Sequence, residues 1–146
     1  MPKNMLQAVI DTNVLVRALL KTNGSDGTIF EAFQKDQFEL LYSSETIKEL
    51  KKVLAYRRIF EKYKLNNHKI EVFVRTIVNF GKFVFTPKKV KICRDSSDDE
   101  LLSIALAIYT RKPIYVVSGD KDLLELKGKV KGVKIVTVGE FVKILR

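Results

Sequence analysis

The alternation of short apolar runs with amphipathic stretches constrains this chain more than any other feature. Leu6–Ile10, Phe38–Tyr42 and Ile114–Val117 are short and mostly apolar, and amphipathic stretches separate them. The pattern predicts a strand over Leu6–Ile10, helices over 14–20 and 28–35, and a strand over Phe38–Tyr42. Thr22-Asn23-Gly24 is the stop signal between the first two helices, and Ile29, Phe30 and Phe33 recur at helical spacing in the second. Ser43 and Ser44 are natural N-caps for a helix over 45–54. Residues 57–80 read as two helices broken near Asn66-Asn67, and 83–85 and 90–92 as a short strand and a connection. A helix over 98–109, the Ile114–Val117 strand, a strand over 133–138 and a short helix over 140–145 complete the order. The β-branched and aromatic run Ile114–Val117 suits a strand buried on both faces of a parallel sheet. Strands alternating with helices predict an α/β fold, with a central, mostly parallel β-sheet flanked by helices on both faces. With 146 residues, and no repeat or Pro/Gly-rich linker, a single domain is the simplest expectation.

Parallel sheets place their chemistry beyond the carboxyl ends of their strands. Asp11 follows the first strand directly. Asp120 follows Ile114–Val117 after Ser118-Gly119, and Asp122 lies two residues further. If the two strands are neighbours, these carboxylates converge at one sheet edge. Glu49 sits about 40° from Val53 on the flank of an apolar helix face formed by Ile47, Leu50, Val53 and Leu54. The run Arg94-Asp95-Ser96-Ser97-Asp98-Asp99-Glu100 opens a further helix. Read alone it is a helix N-terminus rich in acids, which the dipole and free N–H groups favour. Asp98 shares a face with Leu101, Leu102, Ala105 and Tyr109. Asp99 is turned about 100° from it and Glu100 about 200°. Asp98 is therefore the acid that follows the buried face, while Asp95 caps the helix or reaches the site from the loop.

Clustered carboxylates repel and raise one another's pKa, a penalty that a hard cation removes. Mg²⁺ and Mn²⁺ take oxygen ligands, whereas zinc favours Cys and His. Cys93 and His68 are each the single residue of their kind, so neither a zinc set nor an intrachain disulfide is available. The same isolation argues against a thiol–imidazole dyad. With 27 Lys plus Arg against 17 Asp plus Glu, the net charge is +10, which makes a polyanionic partner plausible. Lysine-rich surfaces also occur without one. A carboxylate metal site in a basic chain suits phosphodiesters, because divalent ions polarise phosphate oxygens and make water more acidic. A second ion about 3.5–4 Å away can stabilise the leaving oxygen. No apolar run approaches the roughly 20 residues of a membrane span, and no secretory signal pattern opens the chain. The expected compartment is the cytoplasm.

Four segments also carry a family resemblance: Val9-Ile10-Asp11-Thr12-Asn13-Val14-Leu15-Val16, Ser44-Glu45-Thr46-Ile47-Lys48-Glu49-Leu50, Arg94-Asp95-Ser96-Ser97-Asp98-Asp99, and Val117-Ser118-Gly119-Asp120-Lys121-Asp122-Leu123-Leu124. In this order and spacing the chain resembles PIN-domain ribonucleases, especially the VapC-like toxins of toxin–antitoxin pairs. The resemblance implies a PIN-like three-layer sandwich and a Mg²⁺- or Mn²⁺-dependent endoribonuclease. It implies that Asp11, Asp98 and Asp120 ligate metal, that Asp122 supports a second ion, and that Glu49 ligates or positions water. Asn13 and Ser118 resemble positions that hydrogen-bond the acids or the water. Ser97 departs from the pattern, since an acid is expected there in many relatives. The same resemblance implies RNA as substrate, a small antitoxin as partner, and self-association. Lys51, Lys52, Arg57 and Arg58, with Arg17, are the candidate RNA-binding cations. The plainer reading of that basic stretch is solvated cations around core aromatics.

Three rivals are weighed against this. A catalytically weak module of the same fold would bind RNA or a protein partner, and the full acid set argues for activity instead. An aspartyl-phosphate phosphatase needs a second aspartate two residues after the nucleophile, where Asn13 stands, and a receiver domain needs an acidic pair near the first strand, where Asp11 is alone. DNA nucleases of the flap-endonuclease kind exceed this chain in bulk.

Overall fold

Among the described residues, five strands form one parallel sheet in the order β3-β2-β1-β4-β5. They are β1 (Leu6–Ile10), β2 (Phe38–Tyr42), β3 (Lys82–Phe83), β4 (Ile114–Val117) and β5 (Val133–Val136). The computed structural model describes residues 5–108 and 112–146. All four strand pairings are parallel, and β1 sits centrally, with Val9 opposite Leu41 of β2 and Val116 of β4.

The period of two along each strand divides the core between the faces. Ala8, Ile10, Leu40, Val117 and Val136 point to one face. There they meet α1 (Thr12–Leu20), α2 (Ser25–Gln34), α3 (Ser44–Leu54), α5 (Asn67–Phe80) and α8 (Val138–Leu145). Val9, Leu41, Ile114, Val116, Val133 and Ile135 point to the other. That face is covered by α6 (Ser96–Ala107) and α7 (Lys121–Leu124). The short α4 (Arg57–Lys62) precedes α5, and Asn66 caps α5 by accepting the Lys69 N–H at 2.8 Å. This is the three-layer α/β arrangement expected from the sequence.

Several boundaries differ from the sequence pattern. The helix expected over 98–109 runs Ser96–Ala107, and residue 109 lies outside the described residues. The short strand expected over 83–85 is β3, Lys82–Phe83, and 90–92 lie in the connection as expected. The last strand stops at Val136 because Thr137 caps α8 in a capping box with Glu140. Helix α7 has four residues, too few to carry a periodic signal.

Glu100 departs most from expectation. Turned away from Asp98 on the wheel, it is nevertheless only 6% exposed. The connection between β3 and α6 lies over that side of the helix. Glu100 accepts hydrogen bonds from Ser43 Oγ at 2.5 Å, Thr86 Oγ1 at 2.9 Å and Lys89 Nζ at 2.6 Å. Asp99 accepts the N–H groups of Ile92 and Cys93 at 2.9 and 2.7 Å, and Ser103 Oγ accepts that of Val90 at 3.0 Å. Polar side chains of α6 thus tie this connection down along its length.

Glu100→Ala is expected to lower stability by about 1–3 kcal/mol, because the buried Ser43 and Thr86 hydroxyls lose their acceptor. Glu100→Gln retains a carbonyl acceptor and should lose less. Urea unfolding checks both, and an unchanged midpoint for Glu100→Ala would contradict a structural role for this carboxylate.

Candidate metal centre

Two strand ends and one helix bring the acids together. The Asp11 N–H donates to Val117 O at 2.9 Å, which carries the β1–β4 pairing up to the acid itself. The Asp11 carboxylate caps α1 by accepting the Asn13 N–H at 3.3 Å. Ser118 is fully buried at the end of β4. Its hydroxyl donates to Asp11 Oδ2 at 2.6 Å and accepts the Asp120 N–H at 3.0 Å. Asp120 in turn caps α7 by accepting the Asp122 N–H at 2.8 Å. Asp95 caps α6 through the Ser97 N–H at 2.9 Å.

Carboxylate oxygens of Asp98, Asp120 and Asp122 lie within 4.8 Å of one another. Asp98 is 4% exposed, and its Oδ2 is buried without a hydrogen-bond partner. Burial raises its pKa from the ordinary 3.8 to about 7, with Asp120, Asp11, Asp95 and Asp122 adding repulsion. An orphaned buried oxygen among further carboxylates is the donor set a hard divalent cation accepts. Asp11 lies beside the three, near enough to act on Asp98, and is held there by Ser118.

Glu49 approaches from α3 and is half-buried. Burial raises its pKa, and Asp11 and Asp95 push the same way, while Ser97 and Lys52 oppose. Every acid singled out from the sequence therefore faces this one end of the sheet or acts on it. The candidate RNA-binding cations are scattered by comparison. Lys52 stands next to Glu49. Arg17 pairs with Asp26 at 3.2 Å and Arg57 with Glu61 at 3.0 Å. Lys51 lines a separate groove with Phe60, Ile70 and Val74, and Arg58 is exposed on α4. Burial and the nearby Asp99 push the Cys93 thiol up to about 12, so it is no nucleophile at neutral pH. His68 is exposed on α5.

The Glu100 network was not legible in the sequence. Its partners lie 57, 14 and 11 residues away along the chain. The one local hint is a third acid after Asp98-Asp99 at the start of a helix.

A match to the PIN domain family spans residues 7–122, which contain Asp11, Glu49, Asp98, Asp120 and Asp122. The chain belongs to the PIN-domain family. It is also 29% identical, over 136 residues, to an uncharacterized protein of Methanocaldococcus jannaschii, covering 92% of this chain and 84% of that one. PIN domains are in general metal-dependent nucleases, so membership supports nuclease activity and a divalent ion at the acids. Among the described residues, no helix is long and apolar enough to cross a membrane.

The raised Asp98 pKa has a measurable consequence in metal-free protein. The folded chain holds the Asp98 proton more tightly than the unfolded chain. The contribution of Asp98 to stability is therefore greatest below the ordinary carboxylate range and falls as pH rises to about 7, levelling above it. Asp98→Asn removes the charge, and should stabilise the EDTA-treated protein at pH 8 by up to about 4 kcal/mol. The gain should shrink towards pH 4. Thermal melts of both proteins across this range check it, and no gain at pH 8 would contradict the raised value.

Proposed function

We propose that this PIN domain is an endoribonuclease that uses Mg²⁺ or Mn²⁺ to hydrolyse phosphodiester bonds of RNA, and that it acts as the toxin of a toxin–antitoxin pair. The observation that carries the reading is the Asp98–Asp120–Asp122 cluster, with its buried and unpartnered Asp98 Oδ2. Asp11, Asp98 and Asp120 hold the principal cation, and Asp122 supports a second. A divalent ion in this place polarises a phosphate oxygen and makes water a better nucleophile at neutral pH.

The chain's own groups do the rest. Ser118 fixes the Asp11 carboxylate, and the Asn13 N–H holds its other oxygen. Asp95 keeps the first turn of α6 in place beneath Asp98. Glu49 orients the attacking water and accepts its proton, a role that suits a carboxylate whose pKa burial raises above its ordinary value. The net charge of +10 favours a polyanionic substrate. The chain is proposed to act as a single domain in the cytoplasm, to self-associate, and to be silenced by a small antitoxin.

Asp11→Asn and Asp98→Asn are each expected to lower Mn²⁺-dependent cleavage of single-stranded RNA at least a hundredfold while the protein stays folded. EDTA should abolish wild-type cleavage, and added Mn²⁺ should restore it. Undiminished turnover in either folded variant would sink the reading. For the toxin role, induced expression of wild type should arrest growth and that of Asp98→Asn should not; equal growth would argue against it.

A further inference from the structure

A cleft of about 580 Å³ opens beside the acids, between α3 and the connection leading into α6. Its α3 wall is the stripe Glu45, Lys48, Glu49, Lys52 and Val53, which follows one helix face, and Tyr56, the N-cap of α4, continues the wall beyond the helix end. Lys89, Lys91 and Ser97 belong to the opposite wall. The cleft reaches the acid cluster at Glu49, whose charge Asp11, Asp95 and Ser97 all influence.

Four acids (Glu45, Glu49, Asp99 and Glu100) and four lysines (Lys48, Lys52, Lys89 and Lys91) line this cleft, but they are not equally engaged. Glu100 is occupied by Ser43, Thr86 and Lys89, and Lys89 also pairs with Glu45 at 3.4 Å. Asp99 is occupied by the Ile92 and Cys93 N–H groups. Lys48, Lys52 and Lys91 line the same space, are exposed, and form no ion pair among the described residues. Tyr56, at the far end of the wall, is 46% exposed. Unpaired cations along a groove, with an open aromatic ring, are what single-stranded nucleic acid requires. Cations track its backbone, and the ring offers a stacking face to any base.

We propose that this cleft seats the single-stranded RNA flanking the bond to be cut, with Lys48, Lys52 and Lys91 on backbone phosphates and a base against Tyr56. The proposal rests on the ribonuclease reading above. It moves substrate binding away from Lys51, Arg57 and Arg58 to a strip in which Lys52 is the one cation singled out from the sequence. Lys48 and Lys52 are four residues apart on α3, so they present charge at two points along the groove.

The test is binding of a fluorescent RNA octamer, measured by anisotropy in EDTA so that cleavage does not intervene. The triple variant K48Q/K52Q/K91Q should bind at least tenfold more weakly than wild type. The slope of log K against log salt should fall by about 2, as expected for three lost phosphate contacts on a single strand. Tyr56→Ala should weaken binding by about fivefold or more. K129Q/K131Q/K134Q removes equal charge near β5, and Lys129 and Lys131 precede that strand, at the rim opposite the acids. That variant should bind within threefold of wild type. Unchanged melting temperatures establish that the surface triples fold.

A cleft triple that binds like wild type, while wild type cleaves RNA, overturns this inference and leaves the ribonuclease reading standing. Equal losses in the two triples also overturn it, because diffuse charge would then be doing the binding. Wild type that neither binds nor cleaves RNA overturns both. Stronger competition by oligoglutamate than by RNA of equal charge would assign the cleft to an acidic peptide and overturn it too.

Discussion

Ser118 donates its hydroxyl to Asp11 at 2.6 Å and accepts the Asp120 amide at 3.0 Å. One buried side chain therefore joins the ends of β1 and β4 at the point where two acids leave the sheet. Without this bridge, the adjacent carboxylates would have reason to turn apart, since like charges in a half-buried setting repel. The backbone prepares the arrangement, because the Asp11 N–H is already bonded to Val117 O. Asp11 and Asp120 are also helix N-caps, so the helix termini that follow fix the carboxylates and offset part of their charge.

Helix α6 shows how the same chemical group serves two ends. Asp98 and Glu100 are both buried and lie two residues apart. Glu100 is satisfied by two hydroxyls and an ammonium, and it fastens the β3–α6 connection to the helix. Asp98 has an oxygen with no partner, and its pKa is raised to about 7. A buried carboxylate with partners stabilises the fold, while one without them costs stability until a cation or a proton arrives. The contrast separates a structural acid from a ligand more sharply than either position in the sequence does.

Much of this was readable from residue order. Strand period and strand-end logic located β1, β2 and β4 and brought Asp11 and Asp120 to one edge, and the helix wheel selected Asp98 from its neighbours. The wheel failed for Glu100 because it describes one helix, whereas burial depends on what covers that helix. The connection over α6 is held by side-chain hydrogen bonds and carries no periodic apolar signal. The basic residues are harder to rank from residue order for a related reason. Arg17 and Arg57 find Asp26 and Glu61, and such pairings redistribute charge in ways that a count of lysines and arginines does not reveal. Lys48 is exposed on α3, and the space it faces is the cleft beside Glu49.

The account turns on whether the carboxylates at the ends of β1 and β4, together with Asp98, hold a divalent cation. Titration of Mn²⁺, with free ion followed by electron paramagnetic resonance, measures this without RNA or turnover. The wild-type protein should remove Mn²⁺ from solution at a defined stoichiometry, Asp98→Asn should lose that binding, and Glu100→Gln should keep it. Equal Mn²⁺ uptake by wild type and Asp98→Asn, or none by either, would contradict the central claim.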